Sequence, residues 1–395
     1  MGVPKLRFKA DDGSDFPDWE GMTLGDVGSV AMCKRVFKEQ TREVGDVPFF
    51  KIGTFGGVPD AYISKSLFDE LKSKYAYPEV GTILLSASGT IGRQVEYQGE
   101  DAYYQDSNIV WLEHDDTVLD SYLKQFYSVV KWQGLEGSTI KRLYNKTILD
   151  TPFYRPSLPE QRKIADLLSA VDDVISTQEA EVAAWEKRKK GVMQKLFSQE
   201  VRFKADDGSN FPDWEEQKIE DACVLNPRTE QLDDEFYYMD LGSIDHGRWE
   251  APEIVNKVDA PSRAQRVAAI DDVFFQSVRP YNMGHYHYVV AKDKQVVAST
   301  GYIQARMRNG SNAFLYQLFY EERFNAEVNA RCTGSNYPAI NSRKFGEITV
   351  ALPSLPEQHK IADCLSALDD VIIKAKNELA KWQELKKGLL QQMFV

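Results

Sequence analysis

Residues 156–175 read PSLPEQRKIADLLSAVDDVI and residues 353–372 read PSLPEQHKIADCLSALDDVI, 17 identities in 20 at a shift of 197. A second pair lies upstream of each block: LRFKADDGSDFPDWE at 6–20 and VRFKADDGSNFPDWE at 201–215, 13 identities in 15 at a shift of 195. Chance does not produce such matches, so the chain is two copies of one unit in tandem. Between the matched blocks lie residues 21–155 and 216–352, which hardly resemble each other. A constant scaffold with two dissimilar inserts is the pattern of one machine carrying two recognition heads.

After each PSLPEQ the sequence turns helical. Pro159 and Glu160 suit a first turn, where proline's missing donor costs nothing and a carboxylate meets the positive end of the helix dipole. Ile164, Leu168, Val171, Ile175, Gln178, Val182, Trp185, Lys189, Val192 and Leu196 keep a 4-3 spacing. So do Ile361, Leu365, Leu368, Ile372, Ala375, Leu379, Trp382, Lys386, Leu389 and Met393. A 3.5-residue period held this long predicts a coiled-coil seam, on a helix extending roughly 57 Å. The natural partner of one seam is the other. Because Val201–Glu215 follows the first helix and matches Leu6–Glu20, the second helix is expected to end beside the N-terminal segment. That closes a ring with antiparallel helices about a pseudo-two-fold axis; the alternative is that each helix packs on its own head. The basic run at 186–190, matched by Leu385-Lys386-Lys387, is expected to be a solvated cap complementing the helix C-terminal dipole.

Composition limits the function classes. With 395 residues, 43% hydrophobic and 12% aromatic, the chain has material for two or three folded domains. A net charge of −12 argues against a surface that coats itself in nucleic acid, though it leaves local basic patches open. Cys33, Cys223, Cys332 and Cys364 form no CxxC pair, which fits reduced thiols in a cytoplasmic protein and gives no zinc signature. The N-terminus lacks an apolar signal-like stretch and no run of 18 apolar residues exists, so neither secretion nor membrane spanning is expected. There is no Gly-x4-Gly-Lys-Ser/Thr loop and no kinase or dinucleotide signature. Asn226-Pro227-Arg228-Thr229 lacks the second proline and aromatic of an amino-methyltransferase pocket. His285 and His287 alternate on a strand-like piece with no third ligand in view, which reads as core or groove histidine. No catalytic centre, metal or cofactor is expected in this chain.

The heads read as α+β. Residues 82–86 and 273–277 are buried strands at comparable positions, and 119–130 and 314–324 read as helices. Polar loops follow both strands, carrying Ser88, Thr90 and Arg93 in the first head and Arg279 and Asn282 in the second. Loops on a rigid sheet are where readout residues usually sit. Just before each PSLPEQ comes a second polar stretch. In the first head it holds Ser138, Thr139, Lys141, Arg142 and Lys146; in the second, Ser335, Asn336, Tyr337, Arg343 and Lys344. Small hydroxyl and amide groups beside Lys or Arg can hold phosphate oxygens. A loop that merely caps and positions the following helix fits the same residues.

Two heads, each closed by Gly-Ser-Thr-x-Lys-Arg-Leu-Tyr or Thr-Gly-Ser-x-Tyr-Pro-Ala-Ile and by Leu-Pro-x-x-x-Glu-Gln-x-Lys-Ile-Ala, resemble the specificity subunit of type I restriction-modification enzymes. The resemblance covers essentially the whole chain. It implies two similar target-recognition domains of α/β type, separated by two long antiparallel coiled-coil helices in a pseudo-two-fold repeat. Residues 1–155 would be the first recognition domain, 156–200 the central helix, 201–352 the second recognition domain and 353–395 the C-terminal helix. In that family each head reads one half of a split DNA sequence and the helices fix the gap. The subunit itself is non-catalytic. It assembles with two methyltransferase subunits, which use S-adenosylmethionine to methylate adenine, and with ATP-driven restriction subunits. Partners that clamp the DNA also answer the charge objection. Glu160, Gln161 and Lys163, with Glu357, Gln358 and Lys360, are the expected partner-binding positions at the repeated helix starts. The rival reading is a coiled-coil adaptor whose heads bind proteins or peptides.

Overall fold

The structure, a computed structural model, describes residues 4–132, 142–228, 231–245, 247–249 and 251–394. Two unbroken helices run Leu158–Phe197 and Leu355–Met393, 40 and 39 residues long. Each follows a Pro-Ser pair and carries Pro159 or Pro356 in its first turn, where no backbone donor is lost. The chain divides into two compact units, Met1–Glu179 with Asn377–Val395, and Ala180–Lys376. Each unit therefore holds one head and one end of each long helix.

In the first unit, Lys386 reaches Asp172 at 2.5 Å and Gln383 reaches Glu179 at 3.5 Å, while Leu168 shares a core with Leu390 and Met393. Residue numbers rise on one helix as they fall on the other, so the helices are antiparallel there. The same holds in the second unit, where Glu186 pairs with Lys376 at 2.7 Å and Lys189 with Asp369 at 2.6 Å. Both expected modes of packing occur together. Ile164 and Leu168 pack with Tyr122, Phe126 and Phe153 of their own head, and Ile361 and Leu365 do so with Phe314, Leu318 and Phe345. Each such side chain removed from water contributes about 1.5–3 kcal/mol.

The expected closure is present in the first unit. The Leu6 N–H donates to the Gln392 carbonyl at 3.0 Å, and in the second unit the Val201 N–H donates to Lys195 at 3.2 Å. Against the second helix, the N-terminal segment thus takes the place that the continuing chain takes after the first. Both segments turn on a glycine with φ of +85°, Gly13 and Gly208, a conformation open to glycine without strain. Asp12 and Asp207 brace these turns by accepting from the Ser14 and Ser209 amides.

Each head opens and closes on one antiparallel ribbon, Glu20–Thr23 with Pro152–Arg155 or Glu215–Lys218 with Thr349–Leu352. Inside it lie two larger sheets, and the second head has in addition a short ribbon, Ile244–Asp245 with Arg248–Trp249. The first head has the order 28–31, 109–114, 83–86, 94–96; the second has 223–225, 302–307, 273–276, 286–287, and every neighbour pair is antiparallel. The other sheet is built on a parallel pair, Val47–Phe50 with Tyr103–Tyr104, or Glu235–Met239 with Val296–Ser299. The second head adds Ala264–Val267 to that sheet's edge. Heads that share little sequence therefore share one topology.

Two details differ from the sequence reading. The helix expected over 119–130 is Asp120–Tyr127. The one expected over 314–324 is two helices, Asn312–Leu318 and Glu322–Arg331. The break comes at Glu321, whose carboxylate caps the second helix by accepting from Phe324 N–H at 2.6 Å.

Candidate functional site

The repeated residues at the helix starts are clamps. The Glu160 carboxylate is fully buried and receives Arg7 at 3.1 and 2.9 Å and the Trp19 indole at 3.0 Å. Glu357 repeats this with Arg202 at 3.0 and 2.8 Å and Trp214 at 3.2 Å. These bonds raise the pKa of both arginines still further, the hydrogen bond to the glutamate being the largest cause. Gln161 accepts from Leu119 N–H and donates to the Thr117 and Pro156 carbonyls, tying the helix start to its head. Gln358 does likewise with Ser311 N–H and the Pro353 carbonyl.

The expectation that Glu160, Gln161, Glu357 and Gln358 contact a partner is thereby corrected. A buried side chain whose polar atoms are engaged within its own unit offers a partner no surface. Lys163 and Lys360 remain about a third accessible while bridging to Asp11 and Asp206. The basic run at 186–190 is corrected in part. Lys189 alone is drawn in, pairing with the partly buried Asp369 and bracing the second unit, while Lys187, Arg188 and Lys190 stay exposed as expected, Lys190 meeting Glu322 at the surface.

In the first head, the loop after strand Ile83–Ser86 folds back on itself. The Ser86 hydroxyl accepts from Arg93 N–H at 2.8 Å and donates to the Thr90 carbonyl. Thr90 and Arg93 are exposed, Arg93 donating to the Phe55 carbonyl, and Ser88 donates to the Asn108 side chain at 2.9 Å. Ser138, Thr139 and Lys141 lie outside the described residues. Arg142 does join the loop, since the adjacent Leu143 N–H donates to Ala87 O at 2.8 Å. Its guanidinium donates to the carbonyl of Ser107, a non-glycine residue at φ +54°. Lys146 is exposed on the short helix Asn145–Leu149.

The second head repeats the junction. Ile340 N–H donates to Ser277 O at 3.0 Å and Arg279 N–H to Pro338 O at 2.7 Å, so the two polar stretches form one surface. Arg279 stands over the Tyr337 ring at 4.2 Å. Asn282, Ser335, Asn336 and Tyr337 are exposed beside or on this loop pair. Arg343 and Lys344 lie one turn further on, in helix Ser342–Gly346. Arg343 pairs with Glu347, and Lys344 reaches the Arg331 carbonyl at 3.4 Å.

Sequence reasoning missed the turn Gln105–Asn108. It lines a cavity of about 420 Å³ in the first head with Arg35, Lys38 and Lys51. Arg35 pairs with Asp106 at 2.9 Å, and Gln105 accepts from Ile52 N–H. The signal was a run of four polar residues directly before a buried strand. Basic groups here are mixed with amide and hydroxyl groups, a set able to meet phosphate oxygens and base edges alike. Burial pushes the Cys33 and Cys223 thiols up to about 12, so neither is a nucleophile. Burial also holds His285 neutral, stacked on Phe275 at 4.3 Å.

Comparison with known proteins sets this architecture among relatives. The sequence model described as the type I restriction modification DNA specificity domain matches residues 17–184 and 255–382. A putative type I restriction enzyme specificity subunit of Haemophilus influenzae is 54% identical over 155 residues, 39% of this chain and 40% of that protein. The chain thus spans less than half the length of that relative. The MjaVIII type I restriction enzyme specificity subunit of Methanocaldococcus jannaschii is 24% identical over 412 residues, covering 98% of this chain and 95% of that one. Among solved structures, a type I restriction-modification S subunit from M. genitalium superposes with a TM-score of 0.60 at 17% identity, covering 100% of this chain and 99% of that one. At that identity the likeness is one of fold.

Proposed function

The chain belongs to the type I restriction-modification DNA specificity family, and from that premise we propose that each head reads one half of an asymmetric, split DNA target. One observation carries the reading. The clamp residues and the helix ends are the same in both units, whereas the loops on matching strands differ in nearly every side chain. A machine that held one ligand twice would need no such divergence.

As a specificity subunit the chain supplies recognition and no catalysis. In this proposal Arg93, Arg142 and Lys146 in the first head, and Arg343 and Lys344 in the second, orient the duplex through its phosphates. Ser88, Thr90, Asn282, Ser335 and Asn336 lie where base edges would be met. Two methyltransferase subunits that modify adenine dock on the repeated scaffolds, and restriction subunits join that assembly. The duplicated scaffold supports this, because identical partners need equivalent surfaces. Lys163 and Lys360 are the accessible members of the original partner set.

The test is an electrophoretic shift of genomic fragments with and without a methyltransferase partner, followed by a map of methylated adenines in the host. A bipartite motif with two unlike halves is the expected result. A protein that binds no DNA under either condition would instead point to a peptide-binding adaptor.

A further inference from the structure

The two heads can be compared position by position where the central strand ends. Ile83–Ser86 and Val273–Gln276 pair with equivalent partner strands, Ser86 opposite Ile109 and Gln276 opposite Tyr302. The next common mark is the bond from Leu143 to Ala87 in one head and from Ile340 to Ser277 in the other. Counting on two residues from either mark aligns Gly89 with Arg279. Both have a left-handed backbone, φ +65° and +51°. Glycine adopts this region freely; an arginine there is strained.

The first head thus uses the residue that the backbone prefers, and the second keeps an arginine against that preference. Its amide is fixed by the Pro338 carbonyl at 2.7 Å, and its guanidinium is held over the Tyr337 ring at 4.2 Å. It forms no ion pair among the described residues. Tyr337 is 66% exposed, and Tyr281, two residues after Arg279 in the chain, 56%. A side chain whose position strains the backbone, whose direction is set by an aromatic face and whose charge is unpaired is arranged to meet something outside the chain. A guanidinium held over a ring by cation–π attraction spends no N–H on that contact, and its N–H fork matches the O6 and N7 acceptors of guanine in the major groove.

We propose that Arg279 is a specificity-determining residue of the second head, reading a guanine by a two-pronged hydrogen bond. This rests on the DNA-reading role proposed above. It gives Arg279 a different task from Arg343 and Lys344, which would serve any sequence alike.

The experiment uses the full chain in its host, as wild type, Arg279→Gly and Arg279→Lys, with modified bases mapped genome-wide and thermal unfolding measured on each purified protein. Gly reproduces the residue of the first head and relieves the backbone, so the unfolding midpoint should hold or rise. The expected motif change is loss of one guanine from one half-site, a discrimination of about ten- to a hundredfold, with the other half-site untouched. Lys should keep only part of it, since an ammonium lacks the fork. An unchanged motif with uniformly weaker modification would overturn the proposal and make Arg279 a phosphate anchor. A fallen midpoint with an unchanged motif would also overturn it, making the residue structural. A wild-type chain that directs modification to no defined sequence would overturn the DNA reading itself.

Discussion

At the residue scale, two buried groups make opposite demands. Glu357 has no accessible surface and holds Arg202 and Trp214. Replacing it by alanine leaves a half-buried guanidinium and an indole N–H without their acceptor, and should cost about 3 kcal/mol in urea unfolding of the second unit. Glu160→Ala should do the same in the first unit. The double replacement Arg202→Met with Glu357→Leu should cost much less, because no uncompensated charge remains; equal losses in single and double variants would mean that packing, not charge, is at issue. His285 works through pH. Burial lowers its pKa from 6.5 to about 3, a backbone hydrogen bond with Phe319 opposing the shift. Between those values the unfolded chain binds a proton that the folded chain refuses. The contribution is therefore complete above about pH 6.5 and lost as pH falls, by about 1.4 kcal/mol per unit. Near pH 3.5 that amounts to about 4 kcal/mol. His285→Phe should flatten the acid limb of the unfolding midpoint against pH relative to wild type, while an unchanged limb would assign the acid sensitivity to carboxylates elsewhere.

At the scale of elements, the two helix pairings rest on equivalent polar nodes. Asp172 receives Lys386 and the buried Gln125 amide; Asp369 receives Lys189 and the buried Gln317 amide. One carboxylate thus joins both long helices to a head helix. A double-mutant cycle on Lys189 and Asp369 should give a coupling of about 1 kcal/mol or more, above that of an exposed pair, because the site is partly desolvated. A cycle on Lys386 and Asp172 should agree with it; a null cycle in both would leave the apolar seam as the only cause of helix pairing. Much of this level was legible beforehand. The 4-3 spacing and the doubled PSLPEQ gave the helices, and the buried strands at 82–86 and 273–277 fell where expected. The break at Phe319–Glu321 was not legible, since Phe319 and Tyr320 continue the apolar pattern and glutamate is an uncommon cap. Nor was the second sheet of each head. Its parallel pairing of 47–50 with 103–104 joins segments far apart in sequence, and a strand of two residues carries no periodicity. The partner-binding positions misled for a physical reason: repetition marks what both units must keep, and a buried clamp is kept as strictly as a docking surface.

For the whole molecule, the repeat makes the heads exchangeable in principle. Each is bounded by the same antiparallel ribbon, Glu20 opposite Arg155 in one unit and Glu215 opposite Leu352 in the other. The clamp that receives a head is likewise the same, Arg-Trp-Glu with a glutamine reaching the head backbone. The contacts that differ between heads lie inside the ribbon, in the loops at 86–93 and 277–282. A chain in which residues 216–352 replace 21–155 should therefore fold and carry the second head twice. Two junction contacts need care in the first unit: the transplanted Gln317 must find Asp172, as Gln125 does, and the transplanted Ser311 must find Gln161, as Leu119 does. These are backbone or amide contacts at matched places, so the replacement should keep them. The expected modified motif is symmetric, both halves being the half-site now assigned to the second head, and Arg279→Gly in both copies should relax both halves together. Modification that still follows the original asymmetric motif would mean that recognition lies in the scaffold or in a partner subunit. A folded chain with no modification, restored by returning residues 21–155, would show that the first head also carries a contact the assembly cannot do without.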